Sequence, residues 1–242
     1  MRVMWQAEGL SEVLFSWGQD ASYASGSLTP TPDPATHLYR VDLSPLLPAT
    51  HYFYRISADQ KEVTGDFYSR PLETSDLVFY AYGDTRSGPE IQNSIANNIL
   101  NQIALNPVSQ TLVISTGDLM NEATEQSLQD NEFPPGFHSL RTLQASLPMV
   151  NVMGNHDGTA LFKKYFPYPY TAANDWSFDY GPAHFTIINQ YLELAPNTKR
   201  WEWLQNDLAS SLLPWKFVLL HEPGWSAGPH NNNGTVQAVI QP

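Results

Sequence analysis

Met149-Val150-Asn151-Val152-Met153-Gly154-Asn155-His156-Asp157 is an apolar run that stops at a glycine and opens into three polar side chains. The run reads as a buried strand, with Gly154 marking where the chain turns out of the sheet. The same arrangement occurs twice upstream. Residues 77–82 (Leu-Val-Phe-Tyr-Ala-Tyr) precede Gly83-Asp84, and residues 111–116 (Thr-Leu-Val-Ile-Ser-Thr) precede Gly117-Asp118. Ligand sites in α/β sheets gather outside the carboxyl ends of the strands. Three such ends bring Asp84, Asp118, Asn155 and His156 to one place: two carboxylates, an amide oxygen and an imidazole. Oxygen and nitrogen donors so grouped suit a pair of hard or borderline metal ions.

Around this centre the pattern alternates between strands and helices from about residue 75. Ile91, Ile95, Ile99, Leu100 and Ile103 follow helical spacing between Pro89 and Pro107, and Trp201, Leu204, Leu208 and Leu212 do so later. Residues 175–180 and 183–188 flank Gly181-Pro182 and predict a hairpin that carries His184 within the core or at a sheet edge. Residues 216–220 form a further apolar strand, ending at His221-Glu222-Pro223. Strand–helix alternation of this kind makes an α/β domain. Residues 1–74 differ. Val3 and Trp5, Val13, Phe15 and Trp17, Tyr39 and Val41, and Tyr52, Tyr54 and Ile56 alternate with polar neighbours, the period of half-buried antiparallel strands. The expected division is 1–74, all-β, and 75–242, α/β.

Composition narrows the function classes. In 242 residues, 42% are hydrophobic and 15% charged, which fits a packed chain rather than a disordered one. The net charge of −12 argues against nucleic acid and against an anionic membrane surface as partners. It also opposes an anionic substrate unless bound cations reverse the local field. There is no cysteine, so the chain has neither disulfides nor thiolate ligands. No apolar run is long enough for a spanning helix, and the first residues read as a strand rather than a signal peptide.

Gly83-Asp84, Gly117-Asp118, Gly154-Asn155-His156-Asp157 and the strand-terminal His221, in that order, resemble the calcineurin-like metallophosphoesterase family. Leu46-x-Pro48-x-Thr50-x-Tyr52 resembles the tyrosine corner of a fibronectin type III domain, in which Tyr52 turns its hydroxyl to nearby backbone. A fibronectin-like β-sandwich ahead of a four-layer α/β domain with mixed sheets is similar to the purple acid phosphatase branch. The resemblance implies hydrolysis of small phosphate esters by a metal-bridging hydroxide at two ions of iron, zinc or manganese. It implies Asp84 as a ligand of the first ion, Asp118 as the bridge, and Asn155 and His221 as ligands of the second. His156 becomes the acid for the leaving oxygen, with Asp157 orienting its imidazole. It also implies an exported protein, secreted or periplasmic. The alternative reading is a non-catalytic binding protein that keeps the fold.

Three positions depart from the family pattern. Arg86 stands where many members have a ligating histidine; a guanidinium has no lone pair, and either clamps a phosphate or pairs with a carboxylate. Asn121 stands where purple acid phosphatases carry a tyrosine, and either offers a weak oxygen ligand or caps the following helix. No Gly-His-x-His follows His221; the sequence closes on Val236-Gln-Ala-Val-Ile-Gln-Pro242. With the first sandwich strand also absent, the expectation is an internal fragment of a longer enzyme that binds metal weakly and turns over slowly. His230, in a polar loop after His221, is placed to reach the substrate side, although a solvated loop explains it as well. Because position 121 is not tyrosine, the iron-loaded protein is expected to lack a tyrosinate charge-transfer band. A visible absorption spectrum after iron loading checks this, and a purple product would contradict it.

Overall fold

The computed structural model describes residues 1–228 and 231–240; His230 and Pro242 lie outside the described residues. The chain begins with six strands: β1 (Arg2–Gln6), β2 (Val13–Gly18), β3 (Gly26–Leu28), β4 (Leu38–Asp42), β5 (His51–Ala58) and β6 (Lys61–Tyr68). They form two antiparallel sheets, β1-β4 and β3-β2-β5-β6. The alternating residues of both sheets meet in one core of Val13, Phe15, Tyr39, Val41, Tyr52, Tyr54, Ile56 and Phe67. Trp5 stacks on Tyr39 with ring centroids 5.1 Å apart. Leu47 N donates to the Tyr52 hydroxyl over 3.0 Å, the backbone contact anticipated from the sequence.

The remainder contains α1 (Pro89–Leu105), α2 (Glu125–Glu132), α3 (His138–Ser146), α4 (Thr159–Tyr165), α5 (Lys199–Ser210) and α6 (Gly234–Ile240). Between them run β7 (Tyr80–Tyr82), β8 (Val113–Ser115), β9 (Met149–Asn151), β10 (Trp176–Tyr180), β11 (Ala183–Ile187) and β12 (Trp215–Leu219). Strands β7-β8-β9 form a parallel sheet. Strands β10-β11-β12 form a mixed one, antiparallel across the hairpin and parallel between β11 and β12.

The period of two sorts each strand between two faces. Ile114 and Val150 of the parallel sheet meet Trp176, Tyr180, Phe185 and Ile187 of the mixed sheet in the inter-sheet core. Val113 and Met149 face the other way, towards Ala96 and Ile99 of α1 and Leu140 and Leu143 of α3. On the far side Leu204 of α5 packs with Ile188 and Val218. The order is therefore helices, sheet, sheet, helix, the four layers expected. The outward face of β11 is polar. His184 Nδ1 lies 2.7 Å from Asp179 Oδ1 and its Nε2 lies 3.0 Å from Asp207 Oδ2, while Thr186 also donates to Asp207. Burial works to lower the His184 pKa, but bonds to two carboxylates outweigh it and raise it.

Two helix readings need correction. Ile91 was expected on the inner face of α1, but it is 68% exposed, and Gln92 is buried with Ala96 and Ile99. The helix is rotated so that the Gln92 amide reaches a buried carboxylate. Leu212 lies beyond the end of α5 at Ser210, where a helical spacing no longer holds, and is 96% exposed.

The first six strands abut the α/β layers through Leu38 of β4, buried with Leu119, Met120 and Phe162, and through polar contacts to backbone. Arg2 Nη1 donates to Pro167 O over 2.8 Å, Arg40 Nη2 to Lys164 O over 3.0 Å, and the Tyr54 hydroxyl to Ala145 O over 2.8 Å. Phe185 is fully buried between Phe178 and Phe217, with Phe79 edge-on to it. Phe185→Ala should cost about 3–5 kcal/mol of unfolding free energy. Urea denaturation measures it, and a loss below about 1 kcal/mol would contradict a close-packed inter-sheet core.

Candidate metal centre

Parallel pairing sets Tyr82 opposite Ser115 and Ser115 opposite Asn151, so the three strands end level with one another. The loops that follow lie in contact. Asp84 N donates to Gly117 O over 2.9 Å, and Arg86 N to Asp118 O over 3.0 Å. Asp84 and Asp118 each take a left-handed backbone, with φ of 54° and 57°. Aspartate tolerates that region better than most residues, and such conformations concentrate at functional sites. Gly117, with φ of 108°, makes the turn into Asp118. Gly154 is required for another reason: a Cβ there would collide with Asp118 Oδ1 and the Asp118 backbone nitrogen.

Ligand atoms of Asp84, Asp118 and His221 all lie within 4.8 Å of one another. Asp118 is 1% exposed, whereas Asp84 is open to solvent. His221 arrives from the other sheet, just beyond the end of β12. Its Nδ1 donates to Thr116 O over 2.7 Å, which leaves Nε2 facing Asp118 Oδ2 at 3.5 Å. A histidine whose second nitrogen is fixed by backbone carbonyl is the usual arrangement of a metal ligand. Two carboxylate oxygens and one imidazole nitrogen therefore fit a metal ion of the borderline class. Asn155 is exposed on the loop between Gly154 and His156, both of which touch Asp118.

Arg86, of the two roles open to it, pairs with a carboxylate: its Nε lies 3.0 Å from Asp118 Oδ2, and Nη1 donates to Asn121 Oδ1 over 3.3 Å. Asn121 does not cap the next helix. Thr124 does so, its hydroxyl accepting from Ser127 N.

The expected Asp157–His156 pair is replaced by different partners. The Asp157 carboxylate accepts from four backbone groups: Asp118 N at 2.9 Å, Leu119 N at 3.0 Å, Met120 N at 3.4 Å and Gly154 N at 2.8 Å. These N–H groups saturate it and leave it turned away from the imidazole. Burial raises the Asp157 pKa against the pull of those bonds. His156 instead donates from Nδ1 to Asn121 O over 2.8 Å, and its backbone N donates to Asp118 Oδ1 over 3.0 Å.

Two nearby residues escaped the sequence reading. Tyr191, beyond the end of β11, bonds Glu222 Oε1 over 3.4 Å. Its pKa is raised by partial burial, then by the negative charges of Glu222 and Asp118. The apolar run into β11 was visible, but a tyrosine after a strand carries no motif. Glu132 closes α2 and is 4% exposed. Its carboxylate accepts from the Thr85 hydroxyl over 2.6 Å and from Gln92 Nε2 at 3.1 and 3.2 Å. Burial pushes its pKa up to about 7 against those two bonds. The surrounding helix is polar and acidic, so no periodicity marks Glu132 as buried.

Comparison with known proteins agrees with this geometry. The calcineurin-like phosphoesterase family model matches residues 63–241. Purple acid phosphatase 21 of Arabidopsis thaliana is 25% identical over 207 residues, covering 78% of this chain and 44% of that protein. Purple acid phosphatase 15 of the same plant is 22% identical over 231 residues, covering 78% and 42%. The chain thus spans less than half the length of these curated relatives. The solved purple acid phosphatase PPD1 from yellow lupin (Lupinus luteus) seeds shares the fold, with a TM-score of 0.72 at 15% identity over 99% of this chain and 53% of that one.

Glu132 gives stability a pH signature. Its folded pKa of about 7 stands above the ordinary 4.5, so the folded protein holds the proton more tightly. The associated stability is full below about pH 4.5 and is lost as pH rises through 7, on the order of 3 kcal/mol in all. Glu132→Gln cannot titrate. The difference in unfolding free energy between wild type and this variant should shift in the variant's favour by that amount between pH 4.5 and 7; a pH-independent difference would contradict the assignment.

Proposed function

The chain belongs to the calcineurin-like phosphoesterase family, and from that premise we propose that it hydrolyses phosphate esters at a two-metal centre held by Asp84, Asp118, Asn155 and His221. The observation that carries the proposal is the convergence of Asp84, Asp118 and His221 ligand atoms within 4.8 Å, from three strand ends in two sheets. Asp118 has an oxygen for each of two ions, and its burial between the loops suits a bridging role. Two dications bound there would acidify a shared water and neutralise phosphoryl oxygens. Their charge also answers the −12 of the chain, which alone would repel an anionic ester.

The chain's own residues have separate tasks. His156 holds Nδ1–H on the Asn121 carbonyl, so Nε2 is the nitrogen free to carry a proton to the leaving oxygen. Asp157 acts one step further back, fixing the Asp118–Met120 and Gly154 backbones rather than the imidazole. Arg86 neutralises Asp118 in the protein alone; a guanidinium so placed can turn to a phosphate oxygen once metal takes over the carboxylate.

The relatives are named purple acid phosphatases, and small phosphate monoesters or diesters are the substrate class taken here. Residues 1–74 are read as a fibronectin type III-like domain, supported by the shared core of the first two sheets and the Tyr52–Leu47 corner, and residues 75–242 as the phosphoesterase domain. A β-sheet module ahead of such a site fits an exported protein. Among the described residues no helix is long and apolar enough to cross a membrane.

Hydrolysis of p-nitrophenyl phosphate with added manganese or zinc tests the reading. Asp118→Ala should lose both bound metal and activity. His156→Ala should keep its metal and lower kcat by about 10²–10⁴-fold, the contribution of a general acid. Equal rates for wild type and Asp118→Ala would refute the proposal.

A further inference from the structure

Glu132 is an awkward group to bury. It sits at the carboxyl end of α2, where helix carbonyls disfavour a negative charge, and the donors to its carboxylate are neutral. A buried acid in such surroundings is costly unless it is hydrogen-bonded or takes up a proton. What it holds is specific. Thr85, 5% exposed, donates the shortest of these bonds, and Thr85 lies in the 3₁₀ turn Thr85–Ser87, between Asp84 and Arg86. The other partners come from elsewhere in the layer of helices: Gln92 from α1, and Gln144 of α3, whose Nε2 donates to Glu132 O over 2.9 Å. Glu132 is thus where α1, α2, α3 and the Asp84 turn are tied together, its carboxylate holding α1 and the turn and its carbonyl holding α3. Asp84 is exposed and keeps a left-handed backbone with no side-chain hydrogen bond capping the turn. Backbone bonds from Asp84 N to Gly117 O and from Arg86 N to Asp118 O hold one side of the turn, and the Thr85 hydroxyl holds the other.

We propose that Glu132 is a positioning residue of the metal centre: through the Thr85 hydroxyl it sets the turn that presents Asp84 as a ligand and Arg86 to Asp118. The inference rests on the phosphoesterase reading for what the turn serves, and on the hydrogen bonds for how the turn is held.

Thr85→Val removes the hydroxyl at nearly constant volume, Thr85→Ser keeps it, and Glu132→Ala removes the acceptor. In the metal-free protein, amide exchange across residues 83–88 should quicken by about tenfold or more in Thr85→Val while exchange in β8 is unchanged. Thr85→Ser should restore the slow rate. In a manganese titration of the full chain, Thr85→Val should weaken binding by about tenfold, the scale of support lost behind a metal ligand. The Thr85→Val/Glu132→Ala pair should be no weaker than the worse single variant, because both act through one bond. Unchanged exchange at 83–88 in Thr85→Val, or losses that multiply in the double variant, would overturn the proposal. If Glu132→Ala does not fold, the Thr85 variants decide alone. Absence of manganese binding in wild type, with the exchange response intact, would count against the phosphoesterase reading and leave the positioning role standing.

Discussion

One carboxylate holds the strand-end loops in their working arrangement. Asp157 gathers the backbone N–H groups of Asp118, Leu119, Met120 and Gly154, and so fixes the second Gly-Asp loop against the third. Charge-assisted bonds of this kind are stronger than neutral ones, and each N–H would otherwise be left unpaired in the interior. They offset part of the burial of an acid that is 6% exposed, and burial still raises its pKa. The consequence reaches Asp118. With both loops fixed, its carboxylate is enclosed by the Gly154 backbone, the His156 N–H, the Arg86 guanidinium and the His221 imidazole.

The electrostatic arrangement follows from the same crowding. Asp84, Asp118 and Asp157 stand together in an already acidic chain. Arg86 supplies positive charge against Asp118, and His221 sets its Nε2 3.5 Å from the same carboxylate. The proposed role for cations at the site is to offset this negative charge. Behind it, Glu132 carries a raised pKa in a nest of neutral donors, so part of the support for Asp84 comes from a group that titrates near neutrality.

Much of the fold was legible from local pattern. The three apolar runs are strands because continuous apolar residues in a doubly covered sheet have no solvent face to show, and each ends at a glycine that the crowded loops require. The strands are shorter than the runs: β7 covers Tyr80–Tyr82 of the six residues from 77. The rotation of α1 was not legible, since Ile91 and Gln92 differ by 100° around the helix and only the buried acid on α2 decides which faces inward. His184 was equally opaque. Its bonds cross from the hairpin to α5, and Asp207 gives no local sign of its partner.

The sequence by itself placed the candidate ligands at strand ends. The strand–glycine–acid units place Asp84, Asp118 and Asn155 at the ends of parallel strands, and the last strand adds His221, because strand period and glycine turns are local properties. Only the tertiary structure decided what each of them touches. Asp157 took backbone N–H groups instead of the His156 ring, Arg86 took Asp118, and Glu132 came in from a helix to hold Thr85. Apart from the bond from Gly154 to Asp157, these choices join residues about 40 positions apart, across loops whose paths are fixed by collective packing, and no spacing within one segment encodes them.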